Sequence, residues 1–281
     1  MSSSARASPW YRHPLSGGPT LSRRRHFWTL SEGNQPQPES DPHAVRSLSI
    51  DEMSVLFQPI VDLTTGRTWA VEGLARCTRP HFKDPQALFL AAVEQGATGR
   101  LGRVIREVAF ERCAGMRVFV NVHPHELSSR WLVRTDDPLC FHADGVYLEI
   151  TETAAFEFFD LCRSVLREVC MRTGAHLVLD DLGAGYSNLA RFVELEPEVV
   201  KLDRALVRDI HLDKRKQIMV RHLTSLCREL GAKVVAEGIE LAEELEVLID
   251  AGVDYGQGYY FARPAYPIPE VHWSGARARR R

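Results

Sequence analysis

The sequence predicts an α/β barrel of largely parallel βα units, and three observations lead there. Short runs rich in Val, Leu and Ile recur along the chain (TWAVEGL, RVFVNV, GVYLEIT, HLVLDD, PEVVKLD, AKVVAEG), each ending at a charged or amide residue. Most are separated by stretches long enough for a helix, the alternation that builds a parallel sheet covered by helices. The runs are nearly continuous in apolar residues, as strands buried on both faces are. A chain of 281 residues suits a barrel of roughly 250 residues with short extensions.

The elements follow in order. SVLFQPIVDL reads as a first strand, Thr64-Thr65-Gly66 as a turn and residues 67–74 as a second strand. So brief a connection makes a hairpin, and the first strand is expected antiparallel to its neighbour. Asp84-Pro85 supplies a cap and a first-turn proline for a helix to about residue 94, and a second helix covers about 98–113. A third strand at 117–122 and the strand GVYLEIT lead to a helix at about 155–172 that ends at Gly174. Strands at 175–180 and about 198–202 precede one long helix at about 207–230; a seventh strand at 232–236, a helix at 241–250 and a last strand at about 254–257 complete the set. The two-residue period of a strand puts Tyr147 and Glu149 inside the barrel and turns Leu148 and Ile150 toward the helices. The same parity pairs Val178 with Asp180 and Val235 with Glu237.

Composition narrows the function. A net charge of −2 and a pI near 6.6 give no basis for binding DNA, RNA or an anionic membrane. The six cysteines form no CxxC pair and read as reduced thiols of a cytoplasmic protein. Residues 1–48 are dominated by Ser, Pro, Gly, Gln and Arg, and are expected to be disordered or loosely docked. Residues 49–269 form the barrel, and 270–281 a basic tail. Ser22 to Phe27 superficially resembles a twin-arginine signal, but the polar SEGNQPQPES that follows argues against export. No apolar run approaches the roughly 20 residues that cross a bilayer.

Glu72, Asn121, Glu149, Asp180, Asp181, Lys201 and Glu237 stand at the ends of separate apolar runs. An acidic residue at a strand end is usually a solvated terminus or a cap. Several pointing into one barrel mouth would repel one another unless a cation were present. Carboxylates with one amide suit hard divalent ions, not zinc. By contrast, Glu240 reads as a helix N-terminal charge, His123 and His125 as structural, and Tyr259, Tyr260 and Phe261 as core or rim packing.

The ordered set Gln58-Pro59-Ile60, Glu72-Gly73-Leu74-Ala75-Arg76, Asn121, Glu149-Ile150-Thr151-Glu152, Asp180 to Ser187, Lys201-Leu202-Asp203, Ala236 to Glu240 and Gln257-Gly258-Tyr259 resembles the EAL-domain cyclic-di-GMP phosphodiesterases across roughly residues 50–265. The resemblance implies a TIM-like (β/α)8 barrel with an antiparallel first strand. It also implies hydrolysis of cyclic di-GMP to linear pGpG with two divalent cations, Mg²⁺ or Mn²⁺. Glu72, Asn121, Glu149 and Asp180 would hold the first ion, and Asp180, Asp181 and Glu237 the second. Lys201 and Glu237 would be catalytic, and Glu152 would anchor the Asp181–Asn188 loop. Gln58, Leu74, Arg76, Asp203 and Gln257 are implied substrate contacts; Asp203 has the alternative of supporting the second ion or fixing Lys201. Gly73, Leu182 and Asn188 depart from the Ala, Phe and Ser usual in the family. A homodimer is expected, because barrels of this family often pair; with no GGDEF motif beside the barrel, regulation is expected through oligomerisation, abundance or a separate partner. The alternative is a non-catalytic cyclic-di-GMP receptor that signals through a protein partner.

Overall fold

The computed structural model describes residues 43–127, 132–151, 158–183 and 189–273. The strands are β1 (Met53–Asp62), β2 (Thr68–Cys77), β3 (Val118–Asn121), β4 (Val146–Thr151), β5 (His176–Leu182), β6 (Val199–Leu202), β7 (Lys233–Ala236) and β8 (Tyr255–Gly256). They close into a barrel in sequence order, with β1 antiparallel to both β2 and β8 and every other pairing parallel. The hairpin expectation therefore holds. Its turn is tied by Asp62 Oδ1, which accepts from the backbone N–H of Thr64 and Thr65 at 2.8 Å each.

Helices α1 (Pro85–Glu94) and α2 (Thr98–Arg112) separate β2 from β3. Asp84 caps α1 by accepting from Gln86 N–H at 2.9 Å. The short α3 (Pro124–Leu127) follows β3. After β4 come α4 (Phe159–Leu161), a π-helical stretch (Cys162–Leu166) and α5 (Arg167–Thr173), which stops at Gly174 in the left-handed region (φ 73°). Helix α6 (Leu189–Leu195) precedes β6.

The single long helix expected at 207–230 is instead broken into α7 (Arg204–Val207), a 3₁₀ turn (Ile210–Leu212) and α8 (Lys214–Glu229). Asp209 takes a left-handed φ of 57°, and Asp213 starts α8 by accepting from Arg215 and Lys216 N–H at 2.8 and 3.2 Å. Lys216 then reaches back to the carbonyls of Ala205 and Arg208, satisfying the end of α7. Helix α9 (Ala242–Asp250) completes the outer ring.

The chain is packed beyond both expected barrel limits. Residues 43–48, assigned to the N-terminal segment, bury Val45 and Leu48. Gln95 bonds Val45 N–H and the His43 carbonyl, and Arg79 bonds the Ala44 and Ser47 carbonyls. At the other end Trp273 stacks on Phe261 with ring centroids 6.0 Å apart and lies over Gly66, where any side chain would strike its ring. Residues 1–42 and 274–281 lie outside the described residues.

Strand parity builds two inner layers. Ile60, Ala70, Phe119, Tyr147, Val178, Val199 and Val235 form an apolar cluster inside the barrel, with Trp69 and Tyr255 against it. Val118, Val120, Leu148, Ile150, Leu177, Leu179, Val200 and Val234 face outward into the larger core beneath the helices. Two residues from each inner apolar side chain, toward the C-terminal ends of the parallel strands, stand Gln58, Glu72, Asn121, Glu149, Asp180, Lys201, Glu237 and Gln257. The period that fills the barrel floor also lays a ring of polar groups at its mouth.

Candidate active site

Lys201 lies at the centre of this ring and is 1% exposed. Its Nζ is 2.5 Å from Glu237 Oε1, 2.7 Å from Glu149 Oε1, and 3.5 Å from both Glu72 Oε2 and Asp180 Oδ1. Register brings these groups together: Gln58 is opposite Glu72, Asn121 opposite Glu149, and Thr151 opposite Asp180. Asn121 Nδ2 donates to Glu149 Oε2 at 3.2 Å and to Glu72 Oε1 at 3.4 Å. Gln257 Nε2 donates to Glu72 Oε2 at 2.6 Å and to Gln58 Oε1 at 3.1 Å, while Gln58 Nε2 reaches the Ala262 carbonyl at 3.0 Å. Both glutamines thus brace the Glu72 side of the ring.

The electrostatics show too many carboxylates for the cation available. Burial alone would lower the Lys201 pKa, but the charges of Asp180, Glu149, Glu237 and Glu72 lift it well above the ordinary lysine value. Burial, with Glu72 and Asp180 adding to it against the pull of Lys201, drives Glu149 well above the carboxylate range. Burial, together with the charges of Asp180 and Glu72, pushes Glu237 up to about 8 despite Lys201. Burial and the neighbouring Asp180 and Asp203 push Asp181 up to about 7. Burial is the largest cause for each carboxylate and neighbouring negative charge adds to it; a divalent cation would favour the ionised forms.

The ligand geometry fits such an ion. Asp180, Asp181 and Glu237 each offer an oxygen, and these atoms lie within 4.8 Å of one another. Asp181 has φ 60°, a left-handed conformation uncommon for a residue with a side chain, and its N–H is fixed by Asp180 Oδ1 at 2.9 Å. Backbone strain at the strand end accompanies the side-by-side presentation of two carboxylates.

Two clefts flank the ring. One, of about 320 Å³, is lined by Leu74, Arg76, Phe89, Ile105, His123 and Thr151 and reaches Asn121 and Glu149. The other, of about 260 Å³, is lined by Gln58, Leu74, Arg204, Gln257 and Tyr259 and reaches Glu72, Asp180, Lys201 and Glu237. Leu74 therefore stands between them. His123, read as structural, walls the first cleft, its ring stacked on Phe89 with centroids 6.1 Å apart. Tyr259, read as packing, is 49% exposed in the second, with the Arg263 guanidinium 4.2 Å above its ring. Phe261 is buried as expected.

Other side chains have different partners. Asp203 caps α7, accepting from Ala205 N–H at 2.7 Å. Glu240 pairs with Arg204 at 2.8 Å. Glu152 and residues 184–188, including Asn188, lie outside the described residues.

A buried ion cluster missed by sequence reasoning lies between α2 and the β3–β4 connection. Arg106 (1% exposed) meets Glu126 and Asp137 (both 0%) at 2.8 and 3.0 Å. The signal was present: Arg106 falls among Leu101, Ile105 and Ala109 on the buried face of α2, where an arginine needs partners.

Residues 43–264 match the EAL domain model. The chain is 30% identical over 246 residues to the cyclic di-GMP phosphodiesterase PdeR of Escherichia coli, covering 83% of this chain and 37% of that protein. It is 33% identical over 243 residues to the cyclic di-GMP phosphodiesterase RocR of Pseudomonas aeruginosa, covering 82% of this chain and 61% of that protein. The chain thus spans less than two thirds of the length of either relative. Among solved structures, Klebsiella pneumoniae BlrP1 in its calcium/cyclic di-GMP complex matches with a TM-score of 0.71 at 30% identity, over 85% of this chain and 60% of that one. Among the described residues, no helix is long and apolar enough to cross a membrane.

Proposed function

Because the chain belongs to the EAL domain family, we propose that it hydrolyses one phosphodiester bond of cyclic di-GMP to give linear pGpG, using two divalent cations, Mg²⁺ or Mn²⁺. The observation that carries this reading is the excess of carboxylates in the ring around Lys201, with Asp180, Asp181 and Glu237 placed to share an ion. Glu72, Asn121, Glu149 and Asp180 would hold one cation, and Asp180, Asp181 and Glu237 the other. Such ions lower the pKa of bound water and offset charge on the entering and leaving oxygens.

The chain's own groups supply the rest. Lys201 sets the orientation of Glu149 and Glu237 and contributes a fixed positive charge beneath the reacting phosphate. Glu237, with Oε1 2.5 Å from Lys201 Nζ, is placed both to hold a cation and to accept a proton. Arg76 offers a planar fork to a phosphate at the rim of the first cleft. Leu74 separates the two guanosine halves. Gln58 and Gln257 face the second cleft, and Asp203, at the start of α7, would support the second ion beside Asp181. Glu152 anchors the loop after β5. The protein acts as a homodimer in the cytoplasm, regulated by a separate partner.

The test is incubation of the purified protein with cyclic di-GMP and Mg²⁺ or Mn²⁺, followed by chromatography. Production of pGpG, abolished by chelator and reduced at least about 100-fold in Lys201→Met, is the expected result. Tight nucleotide binding without product would instead make the barrel a receptor. Neither binding nor product would end both readings.

A further inference from the structure

The Arg106 cluster lies outside the polar ring, yet it is tied to the wall of the first cleft. Arg106 Nη1 donates to Glu126 Oε2 at 2.8 Å, while Nε and Nη2 clasp both oxygens of Asp137 at 3.2 and 3.0 Å. The remaining oxygen of Glu126, Oε1, accepts from His123 N–H at 3.1 Å, and Asp137 Oδ1 also accepts from Leu139 N–H at 3.1 Å. Glu126 belongs to α3, immediately after the cleft-lining residues Val122, His123 and Pro124. Its carboxylate rests in a notch on α2: a Cβ built on Gly102 would fall 2.1 Å from Glu126 Oε2 and 2.4 Å from Cδ.

From this arrangement we infer that Gly102, Glu126, Arg106 and Asp137 form a positioning device that sets the cleft wall at residues 122–124 and thereby governs affinity for the nucleotide, not its turnover. The inference rests on the proposed reading that this cleft takes part of the dinucleotide. Its physical basis is rigidity. Each carboxylate is wholly buried and bonded through both oxygens, so α3 has little freedom to move unless a buried ion pair opens. The backbone N–H of His123 is bonded to that same carboxylate, so a displacement of Glu126 passes directly to the wall. The Asn121 side chain has its own anchors, hydrogen bonds to Glu72 and Glu149 at the barrel mouth.

The decisive variant is Gly102→Ala. It removes no charge and places a better helix former in α2, but it forces the Glu126 carboxylate out of its notch. The expected result is a rise in KM for cyclic di-GMP of roughly fivefold or more, with kcat and the Mg²⁺ activation midpoint each within about twofold of wild type. If Gly102→Ala does not fold, Glu126→Gln gives the same readout: both Glu126 oxygens accept from N–H groups, so the amide keeps the side-chain length but loses one of those bonds and the charge beside Arg106, and KM should rise about threefold. A folded variant with unchanged KM overturns the inference, and so does a kcat loss at unchanged KM, which would place the effect in the ring. If wild-type protein shows neither turnover nor binding, the proposed reading falls and takes this inference with it. If the wild type turns over normally, only the inference is at stake.

Discussion

Two buried cations, Lys201 and Arg106, are each 1% exposed and each surrounded by acidic side chains, yet the two clusters have opposite designs. Around Arg106, two carboxylates that are themselves 0% exposed have their oxygens occupied by the guanidinium and by backbone N–H groups. Around Lys201, Glu72, Glu149, Asp180 and Glu237 all turn toward one ammonium, Asp181 adds a further carboxylate, and the Asp180 and Glu237 side chains remain 12% and 21% exposed toward a cleft. A closed, fully bonded cluster fixes backbone. An open cluster with surplus negative charge is poised to take cations from solution.

The largest effect that would break this comparison is on stability. Arg106→Met should lower the unfolding free energy by about 3–5 kcal/mol, because it strands two buried carboxylates, and added Mn²⁺ should not recover the loss. Lys201→Met should cost less, since burial already raises the pKa of Glu149, Asp180 and Glu237 and eases their uptake of protons, and Mn²⁺ should recover most of it. Urea unfolding of both variants, with and without the ion, checks the pair. Equal losses with equal recovery would mean that the two clusters do not differ in kind.

The unequal legibility of these regions in the sequence has a physical cause. The ring residues each terminate an apolar run on a period of two, so Glu149 after Tyr147 and Asp180 after Val178 advertise both their strand and their side of it. The Arg106 cluster joins a helix, a short turn and a loop, and no local period links residues 106, 126 and 137. The break between α7 and α8 was hidden for a related reason: helical spacing persists through 207–230, and only the left-handed Asp209 and the cap by Asp213 divide it. Residues 43–48 carry two apolar anchors amid polar letters, and their docking depends on Gln95 and Arg79, distant in sequence. At the mouth, the sequence placed Gln58 and Gln257 toward the nucleotide; in the structure each spends an amide group on the other or on Glu72.

A pH series with and without cation sharpens the comparison at a smaller scale. Asp181 and Glu237 have pKa values raised from 3.8 and 4.5 to about 7 and about 8. The metal-free native state therefore binds more protons than the unfolded chain across that interval. Stability from these groups is complete below pH 4 and is lost as pH rises through about 7 to 8. Burial also raises Glu126, so the Arg106 cluster contributes with the same sign and pH alone does not separate the two. The cation does: because it competes with protons only at the mouth, the increase in melting temperature given by Mn²⁺ should grow from pH 5 to pH 8. The Glu237→Gln variant should flatten that growth, whereas Glu126→Gln should leave it intact. A Mn²⁺ effect independent of pH would count against the mouth as the binding site.

The smallest effect concerns Gly73, which lies on the seam between the two clusters. It follows Glu72 of the ring, but the parity of β2 turns its missing side chain outward, toward Ala109 on the helix that carries Arg106. A Cβ there would meet Val55 Cγ1 at 3.3 Å and the Phe119 carbonyl oxygen at 3.5 Å. Val55 would have to yield by a few tenths of an ångström. Against that tight contact stands the entropy that glycine loses in a strand, about 0.5–1 kcal/mol relative to alanine. The two nearly cancel, so Gly73→Ala should change unfolding free energy by less than about 0.5 kcal/mol and leave kcat within about twofold of wild type. If kcat instead rises severalfold, the glycine loosens the strand end that holds Glu72, and the floor of the ring is softer than its hydrogen bonds to Asn121 and Gln257 imply. If stability falls by more than about 2 kcal/mol, the contact with Val55 cannot relax, and the packing of β1 against β2 is as unyielding as the ion cluster behind it.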